Sequence, residues 1–125
     1  MAQTVMIVED DENVAPLEVA LANMDGLCVL ILKNGREAAE FLRRNSLDLA
    51  AVITDLQLPY VDGFELIKMI RDQARYSDLP IVVLSGDSHP DTPERLRLLG
   101  ANAFFPKPYS PSDVRHTLEN LLNAS

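Results

Sequence analysis

The stretch that decides the fold is LAAVITDLQLPYVDG, residues 49–63. It begins with an apolar run of strand length, reaches Asp55 where that run stops, and continues into a turn with Pro59 and Gly63. A near-continuous apolar run favours a strand that is covered on both faces, as in a parallel sheet. Asp55 is therefore predicted to lie at the carboxyl end of a buried strand, where ligands collect in sheets of this kind.

Three other apolar runs also end on a residue that is suited to handling a phosphoryl group. TVMIV is followed by Glu9 and Asp10, PIVVL by Ser85, and AFFP by Lys107. The carboxyl ends of parallel strands meet at one edge of a sheet. Three carboxylates, one hydroxyl and one ammonium are therefore predicted to converge on one site.

Strand and helix signals alternate along the whole chain, without a repeat or a linker. This pattern predicts an α/β fold with a five-stranded parallel sheet and helices on both faces. Stripes of apolar residues at helical spacing, such as Val14, Leu17, Leu21 and Met24, are predicted to face the sheet. The predicted strands are Thr4–Val8, Cys28–Leu32, Leu49–Thr54, Ile81–Leu84 and Ala103–Phe105.

Turn and cap residues predict where three of the helices begin or end. Asn34-Gly35 opens the second helix, and Ser110-Pro111-Ser112-Asp113 opens the fifth. Prolines restrict the fourth helix to a start no earlier than Thr92 and an end by Leu99, before Gly100. This short helix is predicted to be a candidate for movement, since few turns provide few packing contacts.

Composition limits the classes of function. A chain of 125 residues with 47% hydrophobic residues is predicted to form a single domain, residues 1–125. Its formal net charge of -8 opposes direct binding to nucleic acid or to an anionic membrane surface.

The N-terminus shows no basic start or cleavage site of a secretory signal, and the longest apolar run, LCVLIL, is far below the ~18 residues of a membrane span. These features predict a cytoplasmic protein. The only cysteine, Cys28, lies inside that apolar run and is predicted to be a buried, inert thiol.

Clustered carboxylates need a compensating charge. Two of them repel by about 1 kcal/mol at 4 Å in water and by about 4 kcal/mol at an effective dielectric of 20. A cation or raised pKa values would relieve this repulsion, and an incomplete set of oxygen ligands favours Mg²⁺. Alternatively, Glu9, Asp10 and Asp11 form an acidic helix start, where the helix dipole favours negative charge.

Asp55 is the candidate nucleophile, because a carboxylate attacks phosphorus to form an aspartyl phosphate. Lys107 stands between two prolines, which fix its backbone and direct its side chain. Taken singly, Asp55 is also explained as a turn former, and Ser85-Gly86 as a simple turn after a strand. The conjunction of these residues is what favours a phosphoryl site.

The chain resembles the receiver domain of two-component response regulators over essentially its whole length. The matching segments are MIVEDD, ITDLQLPYVDG, VVLSG and FFPKPY. Pro59 and Gly63 follow Asp55 at four and eight residues, and Lys107-Pro108 follows it at 52 residues. The resemblance implies a doubly wound, flavodoxin-like (βα)5 fold. It also implies a signalling domain that catalyses only its own phosphorylation and dephosphorylation, and is not an enzyme.

The resemblance further implies that Asp55 accepts a phosphoryl group from a phosphohistidine. Glu9, Asp10, Asp55 and the backbone carbonyl of Gln57 would hold Mg²⁺. Lys107 would pair with one phosphoryl oxygen, and the Ser85 hydroxyl, next to Gly86, would donate to another.

Other positions acquire an expected role from the same resemblance. Phe104 would swing inward with the Ser85 hydroxyl, although core packing explains it equally well. The Lys107-Pro108 bond would be cis. Gln57 and Asp87 would border the path of the water that hydrolyses the acyl phosphate, and would give the phosphorylated state a short lifetime.

The implied partners are a sensor histidine kinase or phosphotransfer protein, and a downstream protein that meets the fourth helix, fifth strand and fifth helix. No nucleic acid or membrane partner is expected for this chain. His89 and His116 lack metal-ligand spacing and are predicted to be surface residues.

Three other classes of protein fit the sequence less well. Phosphatases that resemble haloacid dehalogenases carry a second Asp two residues after the first, where this chain has Gln57. A flavin or nucleotide binder needs a phosphate-cradling loop after the first strand, where this chain has the acidic sequence EDDENVAP. A receiver used only for protein interaction would not need the intact set of functional residues.

Overall fold

The computed structural model describes residues 3–11, 14–44 and 48–123, so Glu12 and Asn13 of the acidic loop lie outside the described residues. The strands are β1 (Gln3–Val8), β2 (Leu27–Leu32), β3 (Leu49–Asp55), β4 (Ile81–Ser85) and β5 (Ala103–Pro106). The helices are α1 (Ala15–Ala22), α2 (Gly35–Arg44), α3 (Gly63–Arg71), α4 (Thr92–Leu99) and α5 (Pro111–Asn123), with a short 3-10 helix at Ala74–Tyr76.

All five strands are parallel and form one sheet in the order β2-β1-β3-β4-β5. The predicted fold class, a doubly wound sheet with five strand and helix units, is confirmed. Each strand is one residue longer than predicted. β3 and β4 extend onto Asp55 and Ser85, because Asp55 pairs with Leu84 and Ser85 pairs with Pro106 in the ladder.

The core has two layers, one on each face of the sheet. Alternate residues of β1 point to opposite faces, so Val5 and Ile7 pack toward α1 and α5, whereas Met6 and Val8 pack toward α2, α3 and α4. Every residue of β3 is buried. The central position of β3 explains its near-continuous apolar sequence and places its last residue, Asp55, in the middle of the sheet edge.

Cys28 is exposed, and the prediction of a buried thiol was wrong. β2 is one of the two edge strands of the sheet, and none of its residues is fully buried. Leu27, Val29 and Ile31 pack against the layer of α1 and α5, so the alternating pattern turns Cys28 to the opposite face, at the start of the edge strand.

The predicted helix boundaries agree closely with the structure. The Asn34 side chain accepts a hydrogen bond from the Glu37 N–H (2.9 Å) at the start of α2. α4 runs from Thr92 to Leu99, as its prolines predicted, and ends at Gly100 with a left-handed φ of 107°. α1 is shorter than its apolar stripe, because Met24 lies beyond its last residue.

In the part of the chain that the structure describes, no helix is both long enough and apolar enough to cross a membrane.

Candidate functional site

The site lies at the carboxyl ends of the four strands β1, β3, β4 and β5. Glu9 follows β1 directly, Asp55 and Ser85 are the last residues of β3 and β4, and Lys107 follows β5. β1 and β4 flank β3, so their end residues approach Asp55 from both sides. The topology therefore brings together side chains that are as many as 98 positions apart in the sequence.

Lys107 bridges the two buried carboxylates. Its Nζ lies 2.8 Å from Asp55 Oδ2 and 2.9 Å from Glu9 Oε2. The backbone N–H of Lys107 donates to the Ser85 carbonyl (2.8 Å), and this bond ties the residue to the end of β4. The Lys107-Pro108 peptide bond is cis, as expected.

The two carboxylates of these ion pairs are buried, and burial changes the pKa values of the site. Glu9 is 2% exposed and Asp55 is 5% exposed. Burial raises the pKa of Glu9 to about 7, although the hydrogen bonds from Lys107 and from the Asp11 N–H act to lower it. Burial also acts to lower the pKa of Lys107, but its hydrogen bonds with Asp55 and Glu9 prevail and raise it. The ammonium is therefore charged at neutral pH and compensates part of the carboxylate charge.

Glu9, Asp10 and Asp55 form the carboxylate cluster of the site. Each offers an oxygen atom, and the three oxygens lie within 4.8 Å of one another. Glu9 and Asp55 are buried, whereas Asp10 is exposed and open to solvent. All three donors are hard oxygen ligands on one side of the strand ends, which is the donor set that Mg²⁺ takes while keeping several waters. The residues present therefore fit a divalent cation.

Gln57 is exposed, and its backbone N–H donates to Asp55 Oδ1 (3.2 Å). With Lys107 on Oδ2, both carboxylate oxygens of Asp55 have a donor. The side chain is thus held in one orientation at the strand end. That the carbonyl of Gln57 is a metal ligand stays a prediction.

Gly63 allows the turn after Asp55 to close. A Cβ atom at this position would lie 2.5 Å from the Asp55 carbonyl oxygen and 2.6 Å from Leu56 Cα, both backbone atoms. The Gly63 N–H also donates to the Leu56 carbonyl (2.8 Å). Only glycine allows this close approach of the two backbone segments, so steric exclusion of a Cβ atom explains why the sequence motif has glycine at position 63. Gly86 differs, because a Cβ there would have no atom within 4 Å.

The rim beside this turn contains residues that the sequence analysis did not single out. Tyr60 is exposed and has a positive φ of 71°, and the Val61 N–H donates to the Pro59 carbonyl (2.9 Å) across it. The guanidinium of Arg36, on α2, lies 4.0 Å from the centre of the Tyr60 ring. No periodicity or motif links these two positions, because the contact joins α2 to the loop after β3.

The loop from β4 to α4 is held by a chain of hydrogen bonds. Ser85 is fully buried, and its Oγ accepts from the Asp87 N–H (2.9 Å). The Asp87 carboxylate accepts from the His89 N–H on Oδ1 (2.9 Å) and from Thr92 Oγ1 on Oδ2 (2.9 Å). The same two contacts, the His89 N–H first, lower the pKa of Asp87. Asp87 is thus turned toward α4, and the contact of Thr92 with its carboxylate is one that the sequence did not predict.

Phe104 lies on β5 opposite Val83 and is half-buried against the layer of α2, α3 and α4. His89 and His116 are exposed, as predicted.

Asp11 is exposed, and its N–H donates to Glu9 Oε1 (3.1 Å). Beside Glu9 and Lys107, a cavity of about 510 Å³ opens between the loop after β1 and the segment Pro108–Pro111.

A family model for the response regulator receiver domain matches residues 5–119. The chain belongs to the response regulator receiver family. The polar-differentiation response regulator DivK of Brucella anthropi is 31% identical over 122 residues, which are 98% of this chain and 98% of that protein.

Two solved structures support the same assignment of the receiver fold. The chemotaxis response regulator CheY4 of Vibrio cholerae is 25% identical with a TM-score of 0.82, over 97% of this chain and 99% of that one. The phosphorylated cyanobacterial phytochrome response regulator RcpA is also 25% identical with a TM-score of 0.82, over 97% and 91% of the two chains. Receiver domains interact with histidine kinases and with downstream partners, so this receiver is a two-component signalling protein.

Proposed function

We propose that Asp55 accepts a phosphoryl group from a phosphohistidine on a sensor histidine kinase or phosphotransfer protein. The observation that carries this proposal is the contact of Lys107 Nζ with both Asp55 Oδ2 and Glu9 Oε2, at the end of the central strand. A carboxylate that is buried, oriented by two donors and placed beside a cation is suited to attack phosphorus and to stabilise the charge on the transferred group.

The reaction forms one bond and breaks one. A carboxylate oxygen of Asp55 attacks phosphorus, the P–N bond to the donor imidazole breaks, and the imidazole keeps the electron pair and takes up a proton. Lys107 is close enough to move from the carboxylates to a phosphoryl oxygen, and the Ser85 hydroxyl donates to another. The chain is then a phosphoacceptor rather than an enzyme that acts on other molecules.

Glu9, Asp10 and Asp55 would hold Mg²⁺, and the Gln57 carbonyl would complete the protein ligands. The cation supplies charge compensation for the phosphoryl oxygens. The cluster supports this assignment, because Lys107 alone leaves the three carboxylates with excess negative charge.

Mass spectrometry tests the phosphoacceptor. After incubation with acetyl phosphate and Mg²⁺, the wild-type protein gains one acid-labile phosphoryl group. Asp55→Asn should gain none, whereas the matched control Asp25→Asn, an exposed acid in the turn before β2, should be labelled like wild type. Undiminished labelling of Asp55→Asn would show that another residue is the acceptor.

The lifetime of the phosphorylated state is part of the same proposal. Gln57 is exposed next to Asp55, so its amide is available to orient a hydrolytic water. The Asp87 carboxylate accepts one hydrogen bond on each oxygen, from the His89 N–H and from Thr92 Oγ1, and each oxygen keeps a lone pair that can accept from the same water. Gln57→Met should therefore slow the decay of labelled protein, and an unchanged decay rate would remove Gln57 from the proposal.

We also propose that phosphorylation changes the surface formed by α4, β5 and α5, and that this surface meets the downstream protein. It carries Leu98, which is 71% exposed, and the half-buried Phe104. Hydrogen exchange with and without beryllofluoride and Mg²⁺ tests this. The expected change lies within residues 87–122, and an unchanged pattern there would mean that the signal leaves from another surface.

The remaining elements of the proposal concern the setting of the protein. We infer one receiver domain over residues 1–125 that acts in the cytoplasm and meets its kinase there. The partners are proteins, since the net charge of -8 disfavours nucleic acid and anionic membranes.

A further inference from the structure

The Ser85 hydroxyl has a defined hydrogen-bonding role in this structure. A hydroxyl group has one proton to donate and two lone pairs that accept. The Asp87 N–H occupies one of the lone pairs of Ser85 Oγ at 2.9 Å. A backbone N–H only donates, so the proton of the Ser85 hydroxyl is left for a different acceptor. In the proposed reaction that acceptor is a phosphoryl oxygen.

Two hydrogen bonds to the carboxylate of Asp87, one of them from α4, hold the residue and its N–H in position. The carboxylate of Asp87 is held on one oxygen by the His89 N–H and on the other by the Thr92 hydroxyl, both at 2.9 Å. Thr92 is fully buried and is the first residue of α4. Its hydroxyl donates away from the helix, into the loop that follows Ser85. The hydroxyl is thus an anchor for this loop.

We propose that Thr92 is a positioning residue for phosphoryl transfer, acting through Asp87 on the Ser85 hydroxyl. Thr92 makes none of the contacts that join Glu9, Asp55 and Lys107, so its effect on the reaction passes through the loop. The inference rests on the proposed function of Asp55 and adds a residue that no receiver motif in this sequence includes. Hydrogen bonds to charged groups are strong enough for their loss to be measurable as a change in rate.

Thr92→Val tests this, because it removes the hydroxyl and keeps the buried volume. The matched control is Thr92→Ser, which keeps the hydroxyl. We expect Thr92→Val to lower the rate of phosphorylation by acetyl phosphate, and the affinity for beryllofluoride with Mg²⁺, by on the order of tenfold. Thr92→Ser should stay within about twofold of wild type. Equal rates for wild type and Thr92→Val would overturn the proposal.

A double-mutant cycle separates positioning from a general structural effect. In a Ser85→Ala background the hydroxyl that Thr92 positions is absent, so Thr92→Val should cause no further loss. The same tenfold loss in that background would overturn the proposal, because the effect would not pass through Ser85. If Thr92→Val does not fold, Asp87→Ala replaces it, with the same expected loss and the same dependence on Ser85.

The experiment also distinguishes this inference from the function on which it rests. Absence of a phosphoryl adduct on wild-type protein would overturn both. A normal adduct on wild type, with no difference between Thr92→Val and Thr92→Ser, would overturn the role of Thr92 alone.

Discussion

Asp55→Asn should stabilise the metal-free protein, although Asp55 is the proposed centre of its function. In the structure Asp55 is 5% exposed and shares one ammonium, that of Lys107, with Glu9. The substitution keeps the shape of the side chain and removes its charge. The prediction applies at pH 8, where Glu9, with its pKa of about 7, is ionised.

The magnitude follows from the distances in the site. At an effective dielectric of 20, the attraction of Asp55 to Lys107 at 2.8 Å is about 6 kcal/mol. The repulsion from Glu9 and from Asp10, at separations of no more than 4.8 Å, is at least about 3.5 kcal/mol for each. Solvent screens the exposed Asp10, but the desolvation of the Asp55 charge acts in the same direction as the repulsion. The net gain expected for the amide is about 1 kcal/mol.

Thermal unfolding measures this gain. For a chain of 125 residues, about 1 kcal/mol raises the melting temperature by roughly 3–5 °C. In EDTA, Asp55→Asn should therefore melt above wild type. The control Asp25→Asn makes the same change in net charge at the opposite end of the sheet and should not reproduce the increase. Saturating Mg²⁺ stabilises wild type, by about 2.7 kcal/mol at 100 times its Kd, and should reduce or reverse the difference.

A lower melting temperature for Asp55→Asn than for wild type in EDTA would refute this reasoning. It would mean that the ion pair with Lys107 outweighs the repulsion within the carboxylate cluster. In that case the site would not be strained by excess negative charge, and the need for a cation would lose its physical basis.

Three further predictions follow from the packing and charges of the described residues. Gly63→Ala places a Cβ 2.5 Å from a backbone oxygen of β3, so it should lower the free energy of unfolding in urea by about 1–3 kcal/mol and slow phosphorylation, whereas Gly86→Ala should change neither. Arg71 donates two hydrogen bonds to the Gly100 carbonyl at the end of α4, so Arg71→Met should destabilise the protein by about 2–3 kcal/mol in the same urea assay. An unchanged urea midpoint of unfolding would show that these two bonds do not stabilise the fold. Because the pKa of Glu9 is raised from 4.5 to about 7, the folded metal-free protein holds a proton between these pH values that the unfolded chain lacks, so Glu9 makes the free energy of unfolding fall as pH rises across that range. Glu9→Gln should remove this contribution to the slope of the free energy of unfolding against pH, and identical slopes for the variant and wild type would show that Glu9 titrates normally.

The local sequence was enough to predict the elements and the boundaries on which the site depends. Apolar runs that stop at Glu9, Asp55 and Lys107 predicted the strand ends to within one residue, because the interior positions of buried strands are apolar and charged residues come where the strands end. The start of α4 at Thr92 was predictable because proline is tolerated only in the first turn of a helix. These signals act within a few residues of one another along the chain.

Other features depended on which elements become neighbours. The exposure of Cys28 follows from the place of β2 at the edge of the sheet. An apolar run in the sequence does not show whether its strand lies at the edge or at the centre of the sheet. The contacts of Arg36 with Tyr60 and of Arg71 with Gly100 join separate elements and follow no periodicity.

The sequence by itself determined the alternation of strands and helices and the chemical groups at each strand end. Only the tertiary structure decided how those groups meet: that Lys107 bridges Asp55 and Glu9, and that Thr92 reaches Asp87 and through it Ser85. The physical reason is that hydrophobic periodicity reports which face of an element is buried, whereas a hydrogen bond or an ion pair forms only within roughly 3–4 Å and depends on the order and packing of the strands.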